Sequence, residues 1–170
     1  HLQDERAMEV IRKLQSITKD QERPHTGMGM AFSRYKNSGT YCAVAARVAM
    51  NVKNAEVQKM WAVIDAGEVI NLNGIRNQIE GGMIQSASWT LQEQVHFDEA
   101  HIISRDWATY PIFRFGQVPE VEVTVLDRPT EEAMGAGEAA QGPAAAAIVN
   151  ALYRACGKRV RDLPLVTNLK

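Results

Sequence analysis

Met134-Gly135-Ala136-Gly137-Glu138-Ala139-Ala140-Gln141-Gly142-Pro143 sets a glycine-rich loop and one carboxylate directly before an alanine-rich run. That run places Ile148, Ala151, Leu152 and Ala155 along one helical face and stops at Gly157. Pro143 suits a first helical turn, where its missing N–H is not needed, and a glycine just past the last turn accepts the left-handed backbone of a helix end. The stretch therefore predicts a loop, then a helix whose apolar stripe must lie on another layer. Two glycines before Glu138 let the backbone take positive φ or approach a bulky ligand closely, and the free N–H groups of a helix start point at whatever sits there. Locally, Glu138 reads either as a surface acid favoured by about 0.3–1 kcal/mol at a helix N-terminus or as a base beside an anionic ligand.

Working outward, Asp4 to Thr18 carries Ala7, Val10, Ile11, Leu14 and Ile17 at spacings of three and four, an amphipathic helix. Polar Lys19 to Thr26, with Pro24, ends it. Residues 28–35 and 40–52 read as a hairpin around the turn signal Lys36-Asn37-Ser38-Gly39, although Tyr41, Ala43, Ala45, Arg47 and Ala49 make an imperfectly alternating face that a helix could also present. Val57 to Ile64 is a third strand candidate, closed by Asp65-Ala66-Gly67-Glu68. A helix then starts near Asn73-Gly74. Ile75, Ile79, Gly82, Met83 and Ser86 line one face of it and Ile84, Ala87, Leu91 and Val95 another, so it is expected to be buried all round. Gly81-Gly82 inside that helix costs roughly 1 kcal/mol per glycine relative to alanine, which calls for a neighbouring helix or a cofactor against the backbone. Residues 96–119 form a long loop with Trp107, Tyr110, Pro111, Phe113 and Phe115 as aromatic anchors, a segment suited to covering a site or another chain. Glu120 to Leu126 alternates as a half-exposed strand ended by Asp127-Arg128-Pro129-Thr130. These elements predict an α+β fold of mixed or antiparallel strands packed against helices.

With 170 residues, 45% hydrophobic and 23% charged, the chain has the size and make-up of one globular domain. A net charge of −1 supplies no electrostatic pull toward nucleic acid or an anionic membrane, and no apolar run reaches the roughly eighteen residues of a membrane span. The sequence opens at His1 rather than Met, so a targeting signal can precede it, and the compartment, cytoplasmic or periplasmic, stays open. Cys42 and Cys156 stand far apart with no C-x-x-C and read as core thiols. His96-Phe97-Asp98-Glu99-Ala100-His101 groups ligand types but reads as a polar turn, so no metal ligands are assigned.

Three segments change the reading of Glu138. Asn71-Leu72-Asn73-Gly74-Ile75-Arg76-Asn77-Gln78-Ile79-Glu80-Gly81-Gly82 resembles the Asn-Pro…Gln-Ile-Glu-Gly-Gly segment of the large, molybdopterin-binding subunit of the xanthine oxidase/aldehyde oxidoreductase family. Asp106-Trp107-Ala108-Thr109-Tyr110-Pro111, followed by Val118-Pro119-Glu120-Val121-Glu122-Val123, is similar to that family's next block. Gly135-Ala136-Gly137-Glu138, with the alanine-rich helix and Gly157-Lys158-Arg159-Val160-Arg161-Asp162-Leu163-Pro164, is similar to its C-terminal end. Order and gaps match, including sixty positions from Gln78 to Glu138. Within the family the likeness is to the isoquinoline 1-oxidoreductase β-subunit type. It is densest over residues 67–165, weaker but collinear from Gly27 to Ile64, and treats residues 1–170 as a single domain or fragment from the C-terminal part of that large chain.

The resemblance implies that Glu138 is the catalytic base, which takes a proton from a water-derived oxygen so that it can attack an electrophilic carbon. It implies that Gln78 hydrogen-bonds the pterin and that Gly137 lies where backbone approaches it. It further implies molybdopterin, in its cytosine dinucleotide form, as cofactor, [2Fe-2S] clusters on a partner subunit or domain, and oxidative hydroxylation of an N-heterocycle or aldehyde. The family's large subunit is several times longer, so the remainder of the molybdopterin subunit and an iron–sulfur subunit are expected as partners, and this chain is not expected to hold molybdenum or turn over alone. Leu72 in place of the usual proline, Gln85-Ser86-Ala87-Ser88 in place of a glycine-rich run, and Ala139-Ala140-Gln141 in place of a proline-containing segment depart from the family pattern. A scaffold module that keeps the fold without the chemistry is the rival expectation.

Overall fold

The computed structural model describes residues 3–51 and 54–165. Helix α1 (Glu5–Thr18) begins where the Asp4 carboxylate accepts from the Arg6 and Ala7 amides at 3.0 and 3.2 Å, an N-cap arrangement. Strands β1 (Thr26–Arg34) and β2 (Tyr41–Asn51) form the predicted antiparallel hairpin, with Val52 outside the described residues. β3 (Asn54–Asp65) pairs antiparallel with β2 and is longer than its sequence signal. Helix α2 (Leu72–Leu91) and the loop 92–119 then carry the chain across to β4 (Glu120–Leu126), which joins β3 in parallel. Helix α3 (Gln141–Cys156) ends, as expected, at Gly157 in the left-handed region, φ 72°. The result is a mixed four-stranded sheet in the order β1-β2-β3-β4, covered on both sides.

That double cover explains why β2 did not alternate. Tyr41, Ala43 and Ala45 pack with Trp61 and Val63 against Ala7, Val10 and Leu14 of α1. Cys42, Val44, Ala46 and Val48 face the other way, into a core shared with Ile79 and Met83 of α2 and Ala144, Ala147, Ile148, Ala151 and Leu152 of α3. A strand buried on both faces has no solvent side to mark with polar residues. The spacing of α3 from the sheet is set by β1. A Cβ on Gly29 would lie 2.1 Å from the Ala151 amide nitrogen and 2.3 Å from the Ala147 carbonyl oxygen, and one on Gly27 would lie 2.1 Å from the Ala151 carbonyl oxygen. The helix backbone rests directly on the strand backbone.

Three sequence expectations are corrected. Cys42 is a buried thiol, its pKa pushed up to about 12 by burial, but Cys156 is exposed at the end of α3. α2 is not buried all round: Gln78, Gly81 and Gln85 are exposed, and Val95 lies beyond the helix and is exposed. Among the described residues Trp107 and Phe115 stand exposed rather than packed into the core, at 72% and 101% exposure, although Phe113 does pack on it.

The turn after β3 is held by a buried charge cluster. Asp65, with a fully buried side chain, accepts from Arg6 Nε at 3.0 Å, Arg128 Nε at 3.1 Å and the Gly67 amide at 3.0 Å. Burial alone would raise its pKa, but Arg6, the Gly67 amide and Arg128 together outweigh it and hold the carboxyl below its ordinary value. A carboxyl lowered in the folded state stabilises the fold fully above the unfolded carboxyl range near ~4, and that contribution is lost as pH falls through the folded value. Asp65→Ala is therefore expected to cost about 3 kcal/mol at neutral pH, because two arginines lose their shared buried partner. Urea unfolding at pH 7 and pH 3 checks this: the gap between parent and variant should shrink at the lower pH.

Candidate functional site

Gln78 and Gly137 meet from two elements, and Glu138 follows Gly137 in the same turn. Asn71 caps α2, accepting from the Gly74 amide at 2.8 Å, so Gln78 falls two turns into the helix on its exposed side. Gly137 and Glu138 lie in the turn that runs into α3. Gln78 reaches that turn: its Oε1 lies 3.8 Å from where a Gly137 Cβ would stand. A larger residue at 137 would meet the glutamine amide.

The loop from 127 to 140 is tied down along its length. Glu68 and Arg128 amides bond across to the Glu131 and Gly67 carbonyls at 3.1 and 3.2 Å, and the Met134 amide donates to the Ala66 carbonyl at 2.8 Å. Gly67 takes φ 76°, and a Cβ there would stand 1.9 Å from the Glu132 carbonyl oxygen. Buried Thr40 donates through its hydroxyl to the Gly135 carbonyl at 2.7 Å, fixing the glycine loop to the start of β2. On the α2 side, Ser86 Oγ donates to the Gln141 carbonyl at 2.8 Å, and the Gln141 side-chain nitrogen donates to Gln85 Oε1 at 3.0 Å.

These contacts leave an open groove of about 790 Å³ along α2, lined by Gln78, Gly81, Gly82, Gln85, Gly137 and Gln141 on one side and by Trp107, Tyr110, Ile112 and Phe113 on the other. The far wall is the long loop, held where the Phe113 amide donates to Ser88 Oγ at 2.9 Å and the Tyr110 hydroxyl donates to Glu93 at 2.8 Å. The glycine pair divides its roles. A Cβ on Gly82 would make ordinary contact with Gln141 Cγ at 3.6 Å, the start of the neighbouring helix. A Cβ on Gly81 would meet nothing within 4 Å among the described residues, and the glycine keeps the groove wall low.

Glu138 itself is exposed, so this chain does not supply the partial burial that a tuned base calls for. Its Oε2 accepts a hydrogen bond from the Tyr35 hydroxyl, a residue 103 positions away that no sequence signal singled out. That bond, burial and the carboxylate's charge raise the Tyr35 pKa, so the phenol stays protonated and donates. The His96–His101 segment is a polar turn in which Asp98 accepts from the Ala100 and His101 amides. Among the described residues no three His, Cys, Asp or Glu side chains group to hold a metal, and no helix is long and apolar enough to cross a membrane.

Residues 5–119 match the family model of the molybdopterin cofactor-binding domain, which takes in Gln78 but stops short of Gly137 and Glu138. Over 97% of its length the chain is 38% identical to a nicotinate dehydrogenase chain of Pseudomonas putida, and over 81% it is 30% identical to the isoquinoline 1-oxidoreductase β-subunit of Brevundimonas diminuta. It spans only 16% and 18% of those proteins. The quinoline 2-oxidoreductase structure from Pseudomonas putida 86 shares the fold with a TM-score of 0.68 and 27% identity over 74% of this chain and 17% of that one. The aldehyde oxidoreductase of Desulfovibrio desulfuricans does so with a TM-score of 0.63 and 31% identity over 74% of this chain and 14% of that one. Family model, sequence relatives and fold converge, and the chain belongs to the molybdopterin cofactor-binding domain family, that of the large subunits of the xanthine oxidase/aldehyde oxidoreductase group.

Proposed function

We propose that this chain forms one wall of the active site of a molybdenum hydroxylase that oxidatively hydroxylates an N-heterocycle or aldehyde with water as oxygen donor. The observation that carries this reading is the meeting of Gln78 and Gly137 on the lining of one open groove, with Glu138 the next residue along the same turn. The cofactor expected there is molybdopterin in its cytosine dinucleotide form, with [2Fe-2S] clusters of a partner subunit taking the electrons. The residues present suit the organic part of such a cofactor. Glutamine amides both donate and accept, as the edge of a pterin requires, and Gly81 and Gly137 keep side chains out of its way. The described residues offer the metal no ligand set of their own. When bound, the cofactor supplies the two-electron redox chemistry.

The chain's own part is positioning and proton transfer. Gln78 orients the ring system from α2, and the turn at Gly137 lets backbone approach it. Glu138 takes the proton from the water-derived nucleophile, a role that needs a carboxylate within hydrogen-bond reach of that proton. The remainder of the molybdopterin subunit supplies the rest of the pocket and the substrate contacts.

The test is made in the complete, matured enzyme. Elemental analysis should find molybdenum in the parent, and Gln78→Ala should weaken cofactor retention about three- to ten-fold, as expected for one lost hydrogen bond. A matured parent without molybdenum would overturn the reading.

A further inference from the structure

The tip of the β1–β2 hairpin reaches the glycine loop at two points. Thr40 holds the Gly135 carbonyl, and Tyr35 holds the Glu138 carboxylate. The tyrosine is itself fixed. Its amide donates to the Thr40 carbonyl at 2.8 Å, and its carbonyl accepts from the Gly39 amide at 2.8 Å. Lys36 and Asn37 take φ of 50° and 62°, the tight reversal that turns the ring toward the loop, and Lys36 Nζ lies 5.3 Å from the ring centroid.

We infer that Tyr35 is a positioning residue for Glu138: its hydroxyl holds one carboxylate oxygen and the rotamer with it, leaving the other oxygen to receive the proton. This rests on the reading of Glu138 as the base. Within this chain Glu138 is exposed, so packing does little to select among its rotamers and the Tyr35 hydrogen bond does more. A catalytic group left loose by about 1 Å can lose roughly a hundred-fold in rate. Tyr35 keeps its own proton throughout, so it orients the base without entering the transfer.

A double-mutant cycle in the complete enzyme tests this, with Tyr35→Phe, Glu138→Gln and the pair compared for kcat, KM and molybdenum content. Tyr35→Phe removes one oxygen atom and is expected to lower kcat about ten- to a hundred-fold, with KM and molybdenum content within about two-fold of the parent. In the Glu138→Gln background the same change is expected to alter kcat by less than about two-fold, because residues acting as a unit are not additive. Equal losses in both backgrounds, or a loss of molybdenum in Tyr35→Phe, would mean a structural role and overturn the proposal. Parent-like turnover in Tyr35→Phe beside a crippled Glu138→Gln would overturn it while leaving the base in place. Parent-like turnover in Glu138→Gln would remove the base itself.

Discussion

Glu138→Gln in the complete enzyme is expected to lower turnover by about 10²–10⁴-fold, the contribution of a positioned general base, with molybdenum content close to the parent's. Glutamine has the shape of glutamate, and its carbonyl oxygen can still accept from the Tyr35 hydroxyl. The loop should be undisturbed, because its anchors are Thr40 on the Gly135 carbonyl and the Met134 amide on Ala66, neither of which involves the carboxylate. What disappears is the ability to take a proton. Steady-state kinetics paired with elemental analysis separates the two effects, and turnover within a few-fold of the parent removes the base assignment.

Gly29→Ala is expected to destabilise the fold by more than about 4 kcal/mol, an unusually large effect for adding one methyl group. The new carbon would stand 2.1 Å from the Ala151 amide nitrogen and 2.3 Å from the Ala147 carbonyl oxygen. Both are backbone atoms in the middle of α3, so no side-chain rotation relieves them. The helix must lift from the sheet, and Ala147, Ile148, Ala151 and Leu152, all fully buried, lose their contacts together. Since α3 follows the Glu138 turn directly, the site moves with it. Gly81→Ala is the matched control. Its Cβ would meet nothing within 4 Å among the described residues, and alanine is favoured over glycine inside a helix by about 1 kcal/mol, so stability should hold or rise. Urea unfolding of the two variants beside the parent decides it: equal midpoints for Gly29→Ala and the parent would refute the close-packing account.

Local signals were enough for the elements whose ends carry their own chemistry. Asp4 caps α1, Pro143 and Gly157 bracket α3, and Glu120 to Leu126 alternates because β4 lies at the sheet edge and is only half covered. Where the signal was weak, the cause was tertiary. β2 is apolar on both faces because α1 covers one and the α2–α3 layer the other, an arrangement that erases periodicity. The glycines of β1 looked like ordinary extended backbone until a helix 120 residues downstream was laid on them. Trp107 and Phe115 have the composition of anchors, yet they stand exposed, since aromatic content alone does not say which surface will meet it.

For the candidate site the division is similar. Gln78, Gly137 and Glu138 were legible because their motifs are collinear with a known family, a property of order and spacing that needs no coordinates. The sequence by itself thus determined the family, the α+β class and the residues that could form a site. Tertiary contacts brought Gln78 against Gly137, left Glu138 exposed and placed Tyr35 on its carboxylate. The physical reason is that a hydrogen bond between residues 103 positions apart leaves no trace in local pattern. It exists only once the β1–β2 hairpin and the turn before α3 are held together by the same packed sheet.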